Sequence, residues 1–177
     1  MPTPALRTAR LALEPLRVDH ADEMVALLAD RALYTFYDDE ASPTLDELRS
    51  RYTRQSAGVS ADGTEVWHNW ILRDLATGEA AGFVQATVRD VDVGASAELA
   101  WVVGTAYQGR GYATEAAVAA RDAITGPGSA SGDDATLVQA HIAPGHGASE
   151  TVARRLGLAP TTTVHDGEIL WSTPTLP

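Results

Sequence analysis

The chain has 177 residues, 45% of them hydrophobic, with 24 acidic side chains against 13 basic ones and a formal net charge of -11. That length and apolar content support one domain over residues 1–177 with a sizeable core, while the scattered arginines give no basic face to offset a charge that repels nucleic acid. The absence of cysteine removes disulfides, thiolate metal sites and a cysteine nucleophile.

The first residues carry prolines and arginines without an apolar block, and no run approaches the ~20 apolar residues of a bilayer span. The expectation is therefore a cytoplasmic protein with no membrane partner. An acidic surface serves solubility, or it attracts a cationic substrate such as an amine or a basic peptide.

In chain order, residues 10–16 alternate apolar and polar side chains and predict a strand. A helix over 19–30 follows, with Asp19 as its cap, Asp22 and Glu23 in its first turn, and Met24, Ala26, Leu27 and Leu28 as its apolar stripe. Residues 33–39 mix aromatics and acids without a period, as in a surface loop or a substrate wall. Leu45, Leu48 and Tyr52 then sit at helical spacing within 44–57.

Residues 67–74, 79–89 and 95–103 are rich in β-branched and aromatic side chains, separated by turns at Ala76-Thr77-Gly78 and Asp92-Val93-Gly94. They predict an antiparallel meander, in which Trp67 and Trp70 face opposite sides.

Next comes Gln108-Gly109-Arg110-Gly111-Tyr112-Ala113-Thr114-Glu115, a tight glycine turn running into an alanine-rich helix that Gly126-Pro127 stops. Two glycines around one arginine free the backbone to curl, and the amides at the helix start then point outward beside the positive end of the macrodipole. Residues 108–114 are thus a phosphate site by construction.

A small, polar loop over 128–135 leads to a strand at 136–142. A last helix then starts at Ser149 as its cap and ends near Leu156 with Gly157 as the stop, followed by a hairpin of 161–164 and 168–172 around Asp166-Gly167. The order of elements predicts an α+β fold, with the strand before the glycine turn near the centre of a sheet. Three consecutive meander strands exclude a fully parallel doubly wound fold.

The glycine turn is not a Walker A loop, because no lysine exists in the chain. It meets the dinucleotide fingerprint at Gly109 and Gly111 but has Thr114 at the last position, which leaves a dinucleotide enzyme as a weak alternative. His141 and His146 do not make a metal site by their spacing and setting, so no metal is expected.

Gln108 to Ala113 resembles the Q/R-x-x-G-x-G/A pyrophosphate loop of the GNAT superfamily of N-acetyltransferases. Residues 97–103 and 148–158 resemble that family's fourth strand and last helix, and the order of elements matches from Arg10 to Trp171. The similarity is greatest to the ribosomal-protein N-acetyltransferase-like (RimJ/RimL-like) subgroup.

The resemblance implies a mixed, mostly antiparallel central sheet flanked by about four helices, and acetyl-CoA as acyl donor. Its pyrophosphate would lie on the amides of Gln108, Gly109, Arg110, Gly111, Tyr112, Ala113 and Thr114, and its pantetheine along Val102 and Val103. It implies direct transfer to a primary amine, either a peptide N-terminus or a small molecule, with Glu98 as base and Ser149 as acid for the thiolate. His146 stands where the subgroup has asparagine and would hydrogen-bond the pantetheine. The family also allows a homodimer, and a catalytically silent acyl-CoA-binding module of the same fold is the alternative.

Overall fold

The computed structural model describes residues 2–36, 42–91 and 94–174. Among these, eight strands and four α-helices run in the order β1 (Leu6–Arg7), β2 (Leu11–Pro15), α1 (Ala21–Leu28), α2 (Leu45–Gln55), β3 (Glu65–Asp74), β4 (Ala80–Val91), β5 (Gly94–Val103), α3 (Tyr112–Ile124), β6 (Leu137–Ile142), α4 (Gly147–Arg155), β7 (Ala159–His165) and β8 (Glu168–Ser172). The strands form one sheet in the order β1-β2-β3-β4-β5-β6-β8-β7. Every neighbouring pair is antiparallel except β5 and β6. The α+β fold with a central strand feeding the glycine turn is therefore as the sequence predicts; the Asp92-Val93 part of the preceding turn, and residues 37–39 of the expected loop, lie outside the described residues.

Alternation along the strands divides the apolar side chains between two cores. On one face Leu11, Leu13, Trp70, Leu72, Val84 and Leu99 pack with α3 and α4 through Ala116, Ala117, Ala120, Ile124, Val152 and Ala153. The alanines let α3 lie close to the sheet. On the other face Ile71, Phe83 and Val102 meet Met24 and Leu28 of α1 and Leu48 and Tyr52 of α2. Trp67, at odd parity to buried Trp70, lies on this second face and donates its indole N–H to Glu65 at 2.8 Å.

Helix α2 begins with a reciprocal cap. The Thr44 hydroxyl accepts from the Glu47 amide at 3.3 Å, and the Glu47 carboxylate accepts from the Thr44 amide at 2.8 Å. Helix α1 departs from expectation. Asp19 falls inside a 3-10 turn, Val18–His20, and caps nothing; buried His20 closes that turn by accepting from the Arg17 amide through Nδ1 at 3.1 Å. The closing hairpin turns at Asp166-Gly167, both with positive φ, as a two-residue loop between strands requires.

One irregularity of the sheet positions the site. Strands β5 and β6 pair only from Ser96 to Glu98 against Leu137 to Gln139. Beyond that point β5 runs on to Val103 without a neighbour on that side, while β6, paired on its other edge with β8, continues to Ile142. On the other side β4 stays paired to the end, and Gly82 lies so close under Val102 that a Cβ there would overlap the Val102 carbonyl. The splayed edge of β5 is thus held rigidly from one side and open from the other.

Candidate active site

The glycine turn lies at the open end of that splay. Gly109 and Gly111 have φ of 73° and 79°, left-handed values that a side chain would strain, and Gly111 is the last residue before α3. The first hydrogen bond into α3 runs from the Glu115 amide to the Gly111 carbonyl at 3.0 Å. Among the described residues, no hydrogen bond engages the amides of Gly109 to Thr114, so consecutive N–H groups are left at the positive end of a 13-residue helix.

Side chains fix this backbone from behind. Arg10 donates to the Arg110 carbonyl at 2.7 Å, and its guanidinium also pairs with Glu115 at 2.6 Å. Thr8 adds a 2.6 Å hydrogen bond to the same carboxylate. The Glu115 carboxyl lies below the usual carboxylate range: burial pushes it up, but the Thr8 and Arg10 hydrogen bonds outweigh burial. Gln108 ties the turn to the strand, donating its side-chain amide to the Val103 carbonyl at 3.0 Å. Tyr112 is packed beneath the helix with its hydroxyl on Asp74 at 2.9 Å, and Arg110 lies over the Tyr107 ring.

A cleft of about 580 Å³ runs from this turn along β5. Val102 and Val103 form its floor, Gly109 and Gly111 to Thr114 one end, and His146 to Ser149 of α4 the opposite wall. Leu33, Thr35 and Phe36 close it from above, so this stretch is a wall of the site. Phe36 stacks on His146 with ring centroids 4.1 Å apart.

His146, and not Ser149, is the N-cap of α4; its imidazole accepts from the Ser149 amide, at 3.5 Å. The helix starts three residues earlier than a serine cap suggests, because Gly147, Ala148 and Ser149 itself make up its first turn. That frees Ser149: its hydroxyl makes no hydrogen bond among the described residues and its side chain lines the cleft. Burial pushes the His146 imidazole below its ordinary value, which keeps the ring neutral at physiological pH. With Nδ1 accepting, the proton sits on Nε2, available as a donor.

Glu98 stands at the last paired position of β5, where the splay begins. It is half-buried and shared between two partners, His141 Nδ1 at 2.8 Å and Arg89 at 3.1 Å. Arg89 in turn reaches Glu65 at 2.7 Å, so a polar row crosses β3, β4, β5 and β6 on the α1/α2 face. Burial alone raises the Glu98 carboxyl, but the hydrogen bonds from His141 and Arg89 bring it below the usual range. An ionised carboxylate only accepts, so it is His141 that donates, through Nδ1. The spacing of His141 in sequence, 43 residues from Glu98, gives no sign of this pairing.

His68 is fully buried on the α3 face, held by Asp133 at 2.7 Å and Thr3 at 3.2 Å, so it has no part in the cleft. Among the described residues no group of histidines and acids could hold a metal, and no helix is long and apolar enough to cross a membrane.

Fold and cleft together define an acyltransferase architecture, a splayed central strand leading into a helix start with free amides. A family model for the GNAT acetyltransferase domain matches residues 10–159, and the chain belongs to that family. It is an acetyltransferase. No protein of curated function matches the sequence. Among solved structures, it is similar to a Bordetella pertussis protein assigned to the same family, at 26% identity and a TM-score of 0.68 over 97% of this chain and 99% of that one. It is also similar to RimL, the ribosomal L7/L12 alpha-N-protein acetyltransferase, solved with coenzyme A, at 14% identity and a TM-score of 0.75 over 96% and 97% of the two chains. A third is the microcin C7 self-immunity acetyltransferase MccE, solved with acetyl-CoA and AMP, at 12% identity and a TM-score of 0.73 over 94% and 93%.

Proposed function

We propose that the protein moves an acetyl group from acetyl-CoA directly to a primary amine, a peptide N-terminus or a small molecule, without a covalent enzyme intermediate. One observation carries this reading: the unpaired amides of Gly109 to Thr114 lie at the end of a β5 edge that is itself unpaired. The first suits a pyrophosphate, and the second suits the amides of a pantetheine arm running as an added strand along Val102 and Val103. Arg110 supplies a cation beside the turn, and the Nε2–H of His146 supplies a donor on the opposite wall. Acetyl-CoA, when bound, supplies the thioester carbonyl that the amine attacks.

The amine must lose a proton and the departing thiolate must gain one. The Glu98–His141 pair takes the amine's proton, directly or through water, while the Glu98 carboxylate orients His141 and holds positive charge as it develops. The unpaired Ser149 hydroxyl passes a proton to the thiolate and is reprotonated from solvent, while the pair returns the amine's proton to solvent. Isothermal titration tests the donor site: the intact protein binds acetyl-CoA, and Gly111→Trp, at a φ that rejects side chains, loses at least about 100-fold in affinity, roughly 2.7 kcal/mol. An intact protein that does not bind acetyl-CoA overturns the reading.

The alternative, a module that binds acyl-CoA without transfer, is favoured by one feature: Glu98 is engaged by two cationic or donor partners and so is a weak base by itself. Thiol release at background across peptides and amines, with acetyl-CoA tightly bound, would establish it.

A further inference from the structure

The α1/α2 face holds a second cavity, of about 40 Å³, partly open and lying between α2 and the middle of the sheet. That volume admits a small polar group and not a bulky one. Its walls include Arg51, Tyr52, Gln55, Asn69, Phe83 and Gln85. What distinguishes it is unmet polarity. Tyr52 is only 4% exposed, yet its hydroxyl has no hydrogen-bond partner. A buried hydroxyl without a partner carries a desolvation penalty that a bound oxygen or nitrogen would relieve. The side chains of Arg51, Gln55 and Gln85 make no hydrogen bond or ion pair among the described residues, and Asn69 reaches only the Gln55 carbonyl, at 3.5 Å.

The sign of the lining is equally informative. The chain carries 24 acidic residues, but none lines this cavity, and its one charged wall residue is Arg51. A protonated amine tail would find no counter-ion there, whereas a carbonyl or carboxylate oxygen would meet a tyrosine donor, amide donors and a guanidinium.

The sheet register connects the cavity to the cleft. Gln85 on β4 pairs with Ala100 on β5, and Phe83 pairs with Val102. Ala100 lies on the same face as Glu98 and Val102 and is exposed although its strand is central, so the sheet is uncovered between the Glu98–His141 pair and the cavity. One to two strand spacings separate β5 from β4 and β3, about 5–10 Å. We propose that this cavity is the acceptor subsite of the acetyl transfer proposed above, on which the inference rests, and that it takes a carbonyl or carboxylate oxygen lying that far from the acceptor amine. The first residues of a peptide satisfy that distance, as does an ω-amino acid. A polyamine supplies the amine without the oxygen.

Isothermal titration of the protein, with and without bound coenzyme A, separates these ligands. The probes are alanyl-serine amide, 6-aminohexanoate and 1,6-diaminohexane. At least one oxygen-bearing probe binds about tenfold or more tighter than the diamine. Tyr52→Phe then costs that probe about tenfold in affinity, leaves the diamine unchanged, and does not lower the melting temperature, because the deleted hydroxyl has no partner to lose. Arg51→Gln weakens the carboxylate more than the dipeptide amide if the natural ligand is an acid, and both alike if it is a peptide. Equal or tighter binding of the diamine, or a Tyr52→Phe protein with unchanged affinity for both oxygen-bearing probes, overturns the proposal; the second result means that the cavity holds only water. Acetyl-CoA titration of the same samples shows independently whether the donor site stands, so failure of one reading is not mistaken for failure of the other.

Discussion

The two halves of the site are built from different materials. Along the cleft, the groups proposed to bind the donor are main-chain: the amides of Gly109 to Thr114 and the free edge of β5. Across the α1/α2 face they are side chains, Glu98 with His141 and Arg89, and the cluster around Tyr52. A backbone site depends on local conformation and tolerates most side-chain changes nearby, provided the glycines remain. A side-chain site depends on which residues distant strands bring together, and can be retuned one residue at a time. The same fold can therefore keep one donor while varying its acceptor.

Separating the two halves by mutation is the strongest way to test that division. Glu98→Gln is expected to lower kcat by about 100-fold or more, the size of a lost general-base contribution, while acetyl-CoA affinity stays within about twofold. A parallel loss of acetyl-CoA binding by titration would mean that the halves are one unit. Gly82→Ala attacks the backbone side where β4 supports the end of β5: the added Cβ overlaps the Val102 carbonyl, so thermal unfolding should reveal a loss of about 2 kcal/mol or more. A variant as stable as the parent would show that the strand end is not held from below.

Arg10→Ala removes the strap behind the glycine turn without touching the cleft. Its acetyl-CoA Kd should weaken by about tenfold with kcat changed less than threefold, because the amides lose their fixed direction and the acceptor face is left intact. Equilibrium titration and steady-state kinetics on one preparation would read both numbers.

The smallest effect concerns pH. Because His141 and Arg89 outweigh burial and hold the Glu98 carboxyl below the usual range, it is ionised throughout the neutral and mildly acidic region. A carboxyl lowered in the folded state contributes stability above its unfolded value, and that contribution disappears as pH falls through the lower folded value. Glu98→Gln should therefore flatten the acid side of the stability profile below about pH 4.5 and nothing above it. For the same reason Glu98 sets no rate limb near neutrality. The alkaline rise of kcat/KM should move with the acceptor, shifting when one amine is exchanged for another of different pKa; a limb fixed across acceptors would assign it to the protein.

Much of the cleft is legible in the chain itself. Gly109 and Gly111 announce left-handed backbone, β-branched and aromatic side chains in residues 67–74 and 95–103 announce strands, and Asp166-Gly167 announces a hairpin, because each depends on a few consecutive residues. The start of α4 differs from expectation for a similarly local reason. Serine is the commoner cap, but the imidazole of His146 reaches the Ser149 amide first and leaves the serine hydroxyl unused.

Nothing local could reveal the rest. Arg10 lies 105 residues from Glu115, and His141 lies 43 from Glu98; the chemistry of both pairs exists only once strand order and register bring them within 3 Å. Likewise Tyr52 reads in the sequence as one more apolar position of α2, and only packing against β3 and β4 leaves its hydroxyl without a partner beside Arg51 and Gln85. By itself the sequence determined the glycine turn and the order of elements, since backbone conformation is written in adjacent residues. The splay of β5 from β6, the Glu98–His141 pair and the cavity beneath α2 were decided by tertiary structure, because each is a relation between strands that no single segment encodes.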